Sequence, residues 1–390
     1  MRRDEYIRKL DGYFPLAGRS LRSLRTRVRT LLARNIAAAS KRAFLDAEPW
    51  VVEEVRLADD QIIVSGWALP PANGLPRIEL NGRAFDTLEN HRREDVAAVF
   101  WQRLNAAESG FVGRSVLDDA VFENDYARLS YVNAPSPLDT GLRRDFYYLD
   151  PARESFALPD SARRARVIGN DDEFGFRFLG ATDFHRLSAA SRAFLGHGLD
   201  SAGAVLDWGV GCGRIARYAL RNFRGNRFVG CDIDAGNVRW CQDNLGAEFH
   251  HTGLTPPMPF PADAFDVVYG LSVFTHLREP VQDRWLSELH RVMKPGGVGL
   301  FTVHGMTTLD YADLSPPSYL ALKGRVERHG IVLGGANSDL VGAVDRPEEY
   351  VNIYHHKRYV RGHWKQWFDI VDIIPGYVFT HDLVVVRKRK

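Results

Sequence analysis

Cysteine is scarce: only Cys212, Cys231 and Cys241 occur among 390 residues, grouped in one stretch. Three thiols so placed make no disulfide framework. Neither a second cysteine pair nor a nearby histidine completes zinc-ligand spacing, so no metal is expected and the thiols read as buried and free. Long apolar runs are missing as well. No segment reaches the roughly 18 consecutive apolar residues of a membrane-spanning helix. The opening Met1-Arg2-Arg3-Asp4-Glu5 has no apolar signal-peptide core, which points to a cytoplasmic chain. No internal repeat occurs, and the net charge is only +2. What is present, 45% hydrophobic and 26% charged residues with 11% aromatics, is the composition of a soluble globular protein, and the length favours two or three domains.

The small net charge hides an asymmetry. Residues 1–46 hold 12 Lys and Arg against 4 Asp and Glu, leaving 39 against 45 in the remainder. Within that start Leu21, Leu24, Val28, Leu31, Leu32 and Ile36 recur at helical spacing, with Arg22, Arg25, Arg29 and Arg34 opposite. The pattern predicts a basic amphipathic segment over 1–48. Peripheral contact with an anionic inner-membrane surface through residues 20–45, a grip on an acidic partner and packing on the protein's own body all fit it.

From 49 to 135 the period becomes that of strands, as in Gln61-Ile62-Ile63-Val64 and Arg77-Ile78-Glu79-Leu80, with turns at Asn81-Gly82 and Ala72-Asn73-Gly74. A β-rich accessory domain is expected there. Gly66-Trp67-Ala68-Leu69, Glu79-Leu80-Asn81-Gly82, Arg93-Glu94-Asp95-Val96 and Ser109-Gly110-Phe111 resemble a β-sandwich module attached to bacterial enzymes of surface-glycan assembly. A polar, proline-bearing stretch over 136–164 reads as a connector. Beyond it, over 165–390, strands and helices alternate: helix 182–196, strand 203–208, helix 213–222, strand 227–232, helix 234–244, strand 265–269, helix 282–293 and strand 298–302. Alternation of this kind writes a doubly wound α/β sheet covered on both faces.

The first of those strands ends in Asp207 and runs into Gly209, Gly211 and Gly213, so a ligand can approach bare backbone ahead of a helix. The next strand ends in Asp232, a carboxylate placed to accept hydrogen bonds from ribose hydroxyls. Together they describe an adenosine site. A dinucleotide fingerprint wants its third glycine at the sixth position of the loop, where this chain has Arg214.

Glycines on alternate positions instead resemble the first motif of class I S-adenosylmethionine-dependent methyltransferases. Later blocks resemble the same family in order and spacing: 258–268, then Val273-Phe274-Thr275-His276-Leu277, Trp285, Glu288-Leu289 and Arg291-Val292-Met293-Lys294-Pro295-Gly296-Gly297. The resemblance implies a seven-stranded Rossmann-like sheet ending in an antiparallel strand, with 368–374 and 381–386 as its closing hairpin. It implies S-adenosyl-L-methionine as cofactor, held by Asp207, Gly209, Gly211, Gly213, Asp232, Ile233, Leu254 and Ser272. Leu254 stands where many relatives place an acid for the adenine.

Methyl transfer to an alcohol needs a proton acceptor near the reacting oxygen, whereas a neutral amine attacks unaided. His276 and His304 follow strands at the sheet's C-terminal edge, and His355 with its neighbour His356 precedes a helix near 359–367, so His276, His304 and His355 are the catalytic candidates. Arg177 and Arg214 are candidate partners for the methionine carboxylate, with the segment 174–180 closing over that end. The stretch 305–350, containing Pro316-Pro317 and Gly334-Gly335, reads as an insertion or lid that chooses the acceptor. The expected acceptor is a hydroxyl or amine of a small molecule, sugar or glycolipid. A non-catalytic scaffold or S-adenosylmethionine-binding partner protein, recruited by its basic start, is the alternative. No nucleic acid is expected: the C-terminal half is not basic as a whole, and 265–269 is followed by Gly270-Leu271-Ser272-Val273 rather than Asn-Pro-Pro-Tyr or Asp-Pro-Pro-Tyr.

Overall fold

A computed structural model of the chain describes residues 50–71, 74–101, 103, 105–132, 142–221, 223–312, 314–336 and 350–390. The basic segment 1–48 lies outside them, as do 337–349 of the insertion. None of the described helices is long and apolar enough to cross a membrane.

The first body holds β1 (Trp50–Ala58), β2 (Gln61–Ala68), β3 (Ile78–Leu80), β4 (Arg83–Ala84), β5 (Thr87–His91), α1 (Glu94–Val99), β6 (Gly110–Val116), β7 (Tyr126–Tyr131) and β8 (Phe146–Leu149). Two antiparallel four-stranded sheets result, ordered β1-β2-β6-β5 and β4-β3-β7-β8. Every second residue of β2 is buried, from Ile62 through Val64 to Ala68, as a strand covered on one face requires. These meet Ile78, Phe111, Leu129 and Phe146 in one core shared by both sheets. Asn81 and Gly82, at φ 49° and 79°, turn β3 into β4 in the manner of an Asn-Gly hairpin.

This body extends beyond the expected boundary at 135. β8 falls inside the stretch read as connector and pairs with β7 along Leu129 to Tyr126. The run Phe146-Tyr147-Tyr148-Leu149 is too short to declare itself, and only its partner strand makes it one.

The second body holds α2 (Ser161–Ile168), α3 (Glu173–Leu195), β9 (Ala204–Trp208), α4 (Ala216–Arg221), β10 (Arg227–Asp232), α5 (Ala235–Asn244), β11 (Glu248–His251), β12 (Phe265–Gly270), α6 (Glu279–Val292), β13 (Met293–Val303), α7 (Met306–Tyr311), α8 (Pro316–His329), β14 (Ile331–Ala336), β15 (Val351–His355), α9 (Lys357–His363), β16 (Asp369–Val378) and β17 (His381–Arg387). Seven strands form a mixed sheet ordered β11-β10-β9-β12-β13-β17-β16. β9 to β13 run parallel, and β17 lies antiparallel to both β13 and β16. Separate cores cover the two faces, one built on α3, α4 and α5 and one on α6 and α9. β9 is buried at all five positions, which is why it reads as a continuous apolar run rather than an alternation.

Two expectations need correction. α3 begins at Glu173, nine residues ahead of the expected start, so 174–180 is helix and not a flap. Gly175 and Gly180 weaken the helical signal there. At Gly180 a β-carbon would come within 2.5 Å of the Arg214 carbonyl oxygen, so close packing of α3 on α4's approach outweighs the local propensity. The insertion is also more regular than its sequence suggests. Pro316 and Pro317 open α8 behind the Ser315 cap rather than break the chain, and β14 pairs antiparallel with β15.

Candidate active site

The order of strands reverses between β9 and β12, and the C-terminal edge there is where an open α/β sheet leaves a crevice. A cavity of about 190 Å³ occupies it. Gly209, Gly211 and Gly213 all carry positive φ, at 82°, 55° and 77°. The Gly209 and Val210 amides both donate to the Cys231 carbonyl, at 2.8 and 3.0 Å, which clamps the loop to the end of β10. Asp232 accepts the Gly211 amide on Oδ2 at 2.7 Å and the Asp234 amide on Oδ1 at 2.8 Å. Burial raises the Asp232 carboxyl above its ordinary range, and those amides pull against the shift.

Gly209, Gly211, Asp232, Ile233, Leu254 and Ser272 line the cavity, but Asp207 and Gly213 are not among the lining residues. Asp207 is 3% exposed, receives the Tyr269 hydroxyl at 2.7 Å, and is pushed by burial up to about 7. Gly213 faces the body: a β-carbon there would lie 2.3 Å from Leu245 Cδ1. Ser272 is held at φ 59°, its amide donating to Thr302 Oγ1 at 2.7 Å, so the chain leaves β12 in a fixed, unusual direction.

Of the three candidate histidines, His276 alone lines the cavity. Its ring stacks on Tyr350 with centroids 5.6 Å apart and stands 6.0 Å, edge to face, from His304. His304 lies behind it, 4.7 Å from the ring of His381, and burial drives its pKa down to about 2. His355 is 1% exposed, sits 2.9 Å from the Gln282 amide nitrogen, and is lowered by burial to about 3. Its neighbour His356 caps α9 by accepting the Arg358 amide. Arg177 is engaged by Glu154 and Glu173, and Arg214 by Asp183 at 2.7 Å. The arginine that lines the cavity is Arg166 of α2, paired with Asp234.

Residues 205–297 match the family described as a methyltransferase domain. The chain carries an S-adenosylmethionine-dependent methyltransferase domain. Over 101 residues, 25% of this chain and 36% of the relative, it is 36% identical to the fatty-acid O-methyltransferase of Mycolicibacterium smegmatis. Over 151 residues, 37% of this chain and 38% of the relative, it is 30% identical to the sterol 24-C-methyltransferase of Yarrowia lipolytica. The chain thus spans little more than a third of the length of these curated relatives. Among solved structures, the 1,6-didemethyltoxoflavin-N1-methyltransferase of Burkholderia thailandensis aligns with 63% of this chain and 96% of its own at 15% identity, with a TM-score of 0.38.

Several lining residues of the methyltransferase domain carried no signal of their own. Thr252 and Asn237 are ordinary polar residues in sequence, and Tyr350 stands at the far end of the insertion. Trp285 belonged to a recognisable block, yet its contribution is tertiary: its indole nitrogen donates to the Leu254 carbonyl at 3.0 Å and fixes that loop against α6. Trp208, between two loop positions, packs its ring against Phe274 and Trp285, at 5.0 and 5.1 Å, and floors the crevice.

Proposed function

We propose that this chain transfers a methyl group from S-adenosylmethionine to an oxygen or nitrogen nucleophile of a small-molecule or lipid acceptor. The observation that carries the reading is that one cavity is lined both by the glycine loop with Asp232 and by the His276 and Tyr350 rings. The residues suit the cofactor. Backbone without β-carbons at Gly209 and Gly211 admits close approach, the Asp232 carboxylate offers acceptors to ribose hydroxyls, and Ile233 with Leu254 supplies apolar cover for a purine. Asp207 acts one layer below, through Tyr269 and the loop above it.

The cofactor supplies an electrophilic methyl on a sulfonium, and the C–S bond electrons leave with the sulfur. What the protein adds is alignment of the acceptor in a confined crevice and a place for the acceptor's proton. His276 is the group placed to take it. His304, kept neutral by burial, faces its edge and holds its orientation.

Acceptor class is read from two sources. The relatives named above act on a fatty acid and a sterol, and Leu271, Val273 and Leu277 give the cavity an apolar wall suited to such a chain. The sugar or glycolipid reading rests on the likeness of the β-rich body to glycan-assembly modules. Both kinds of lipid-borne acceptor sit at membranes, where the basic segment 20–45 would carry the chain. The test is to incubate labelled S-adenosylmethionine with lipid and small-molecule extracts, with and without the protein, and identify what gains label. Labelled lipid or lipid-linked sugar supports the reading. Label found only in protein or nucleic acid sinks it.

A further inference from the structure

The β-rich body reads in sequence as an independent attachment, yet its contacts lead to the acceptor side of the cavity. At the end of α1, Phe100 is 2% exposed, packed edge to face on Tyr311 of α7 with centroids 5.5 Å apart and tilted on Trp67 at 5.4 Å. The next residue, Trp101, packs into a second cluster with Met306 and Leu309 of α7, Tyr319 and Val326 of α8, and Val332 of β14. Tyr354 of β15 completes that cluster, opposite Val332 in the β14–β15 pair.

From β15 the path runs directly to the site. The Ile353 amide donates to the Thr275 carbonyl at 2.7 Å, and the His355 amide to the His304 carbonyl at 2.8 Å. Tyr350, just ahead of β15, stacks on His276 inside the cavity. An aromatic pair of the accessory body is therefore joined by packing to α7 and α8, these to β14, and β14 to the strand whose leading tyrosine forms a wall of the cavity. Packed aromatic clusters transmit position well because they are dense and have few alternative arrangements.

We infer that Phe100 and Trp101 are positioning residues for the acceptor wall, so that the β-rich body is a buttress of the transferase site rather than a separate binding module. The inference rests on the methyl-transfer reading only for the name of the ligand that the wall receives. Glycine-loop residues and Asp232 lie on elements outside this path, so cofactor affinity is the readout expected to change least.

The test compares Trp101→Ala, Trp101→Phe and Phe122→Ala in the full chain. Phe122 packs on Tyr148 and under Arg153 within the β-rich body, away from α7 and α8, and controls for general loosening of that body. Amide hydrogen exchange over 331–336 and 351–355 is followed beside calorimetric binding of S-adenosylhomocysteine. Expected for Trp101→Ala is exchange at Ile353 and His355 faster by about tenfold or more, with ligand affinity kept within about twofold. Trp101→Phe restores protection, and Phe122→Ala leaves it unchanged. With hexadecanoic acid as probe acceptor, Trp101→Ala raises KM for the acid and holds kcat. The inference is overturned if Trp101→Ala leaves the exchange of β14 and β15 unmoved, or if Phe122→Ala accelerates it equally. An unaltered chain that fails to bind S-adenosylhomocysteine overturns the methyl-transfer reading, and the exchange data still decide the buttress.

Discussion

Asp232 organises the glycine loop as well as facing the cavity: its Oδ2 accepts the Gly211 amide at 2.7 Å, while Oδ1 accepts the amide of Asp234 two residues on. One carboxylate thus ties the end of β10 to the loop after β9. A change at Asp232 removes a carboxylate from the cavity wall and a loop restraint together.

Asp232→Ala should therefore lower S-adenosylhomocysteine affinity by about 10- to 150-fold, as expected for losing hydrogen bonds to a charged group. Calorimetry on the purified chain measures it. An affinity unchanged within twofold would remove Asp232 from the binding machinery.

Asp207 behaves differently because it is buried beneath the loop. Its carboxyl is pushed up to about 7 against an ordinary 3.8, so the folded state holds a proton that the unfolded state has released between those values. Folding stability is lost there as pH rises, at ~1.4 kcal/mol per pH unit, and the loss is complete above about pH 7. Asp207→Asn keeps an acceptor for Tyr269 and has no charge to bury. Urea unfolding should show the variant gaining on the parent from pH 5 to pH 7 and levelling above, with S-adenosylhomocysteine affinity retained.

Gly209→Ala and Gly213→Ala separate the two sides of the loop. Each forces an L residue to positive φ, and each new β-carbon meets a neighbour, Val273 Cγ2 at 2.4 Å or Leu245 Cδ1 at 2.3 Å. Both should lower thermal stability, by roughly 1–2 kcal/mol for the backbone alone. Gly209→Ala, on the cavity side, should also cost about tenfold or more in ligand affinity beyond what Gly213→Ala costs. Titration of both variants at a temperature where each is folded decides it.

His276→Ala should reduce kcat for a hydroxyl acceptor by about 10²- to 10⁴-fold. His304→Gln should reduce it far less and leave the pH profile in place, because burial keeps His304 neutral down to about pH 2. A profile whose acid limb moves in His304→Gln would transfer the base role to that residue.

His355 gives a stability signature. Burial lowers it to about 3, so below its ordinary value of 6.5 the unfolded chain binds a proton that the folded one does not. Its contribution is lost as pH falls through that window, at ~1.4 kcal/mol per unit. His355→Gln, measured by urea unfolding at pH 7 and pH 5, should lose less stability on acidification than the parent.

By itself the sequence determined that a glycine loop and a carboxylate one strand later meet at the sheet's C-terminal edge. Strand period, glycines on alternate positions and an acid one strand later are local signals, because each is fixed by what a residue's own backbone or the next turn requires. The same locality explains why the strand over 227–232 and the closing hairpin were legible, with Ile233, Leu254 and Ser272 at the sheet edge. Depth was not legible. Asp207 and Gly213 share a motif with Gly209 and Gly211 but sit behind it, and His355 is drawn into the core against Gln282 while His276 faces the cavity. Which side of a loop a residue faces depends on what packs on the other side, and that partner is distant in sequence. For the same reason only tertiary structure decided that β8 belongs to the first body, that α8 starts at its prolines, and that Trp101 reaches across to the insertion: each gains its stabilising contact from residues the chain brings near only on folding.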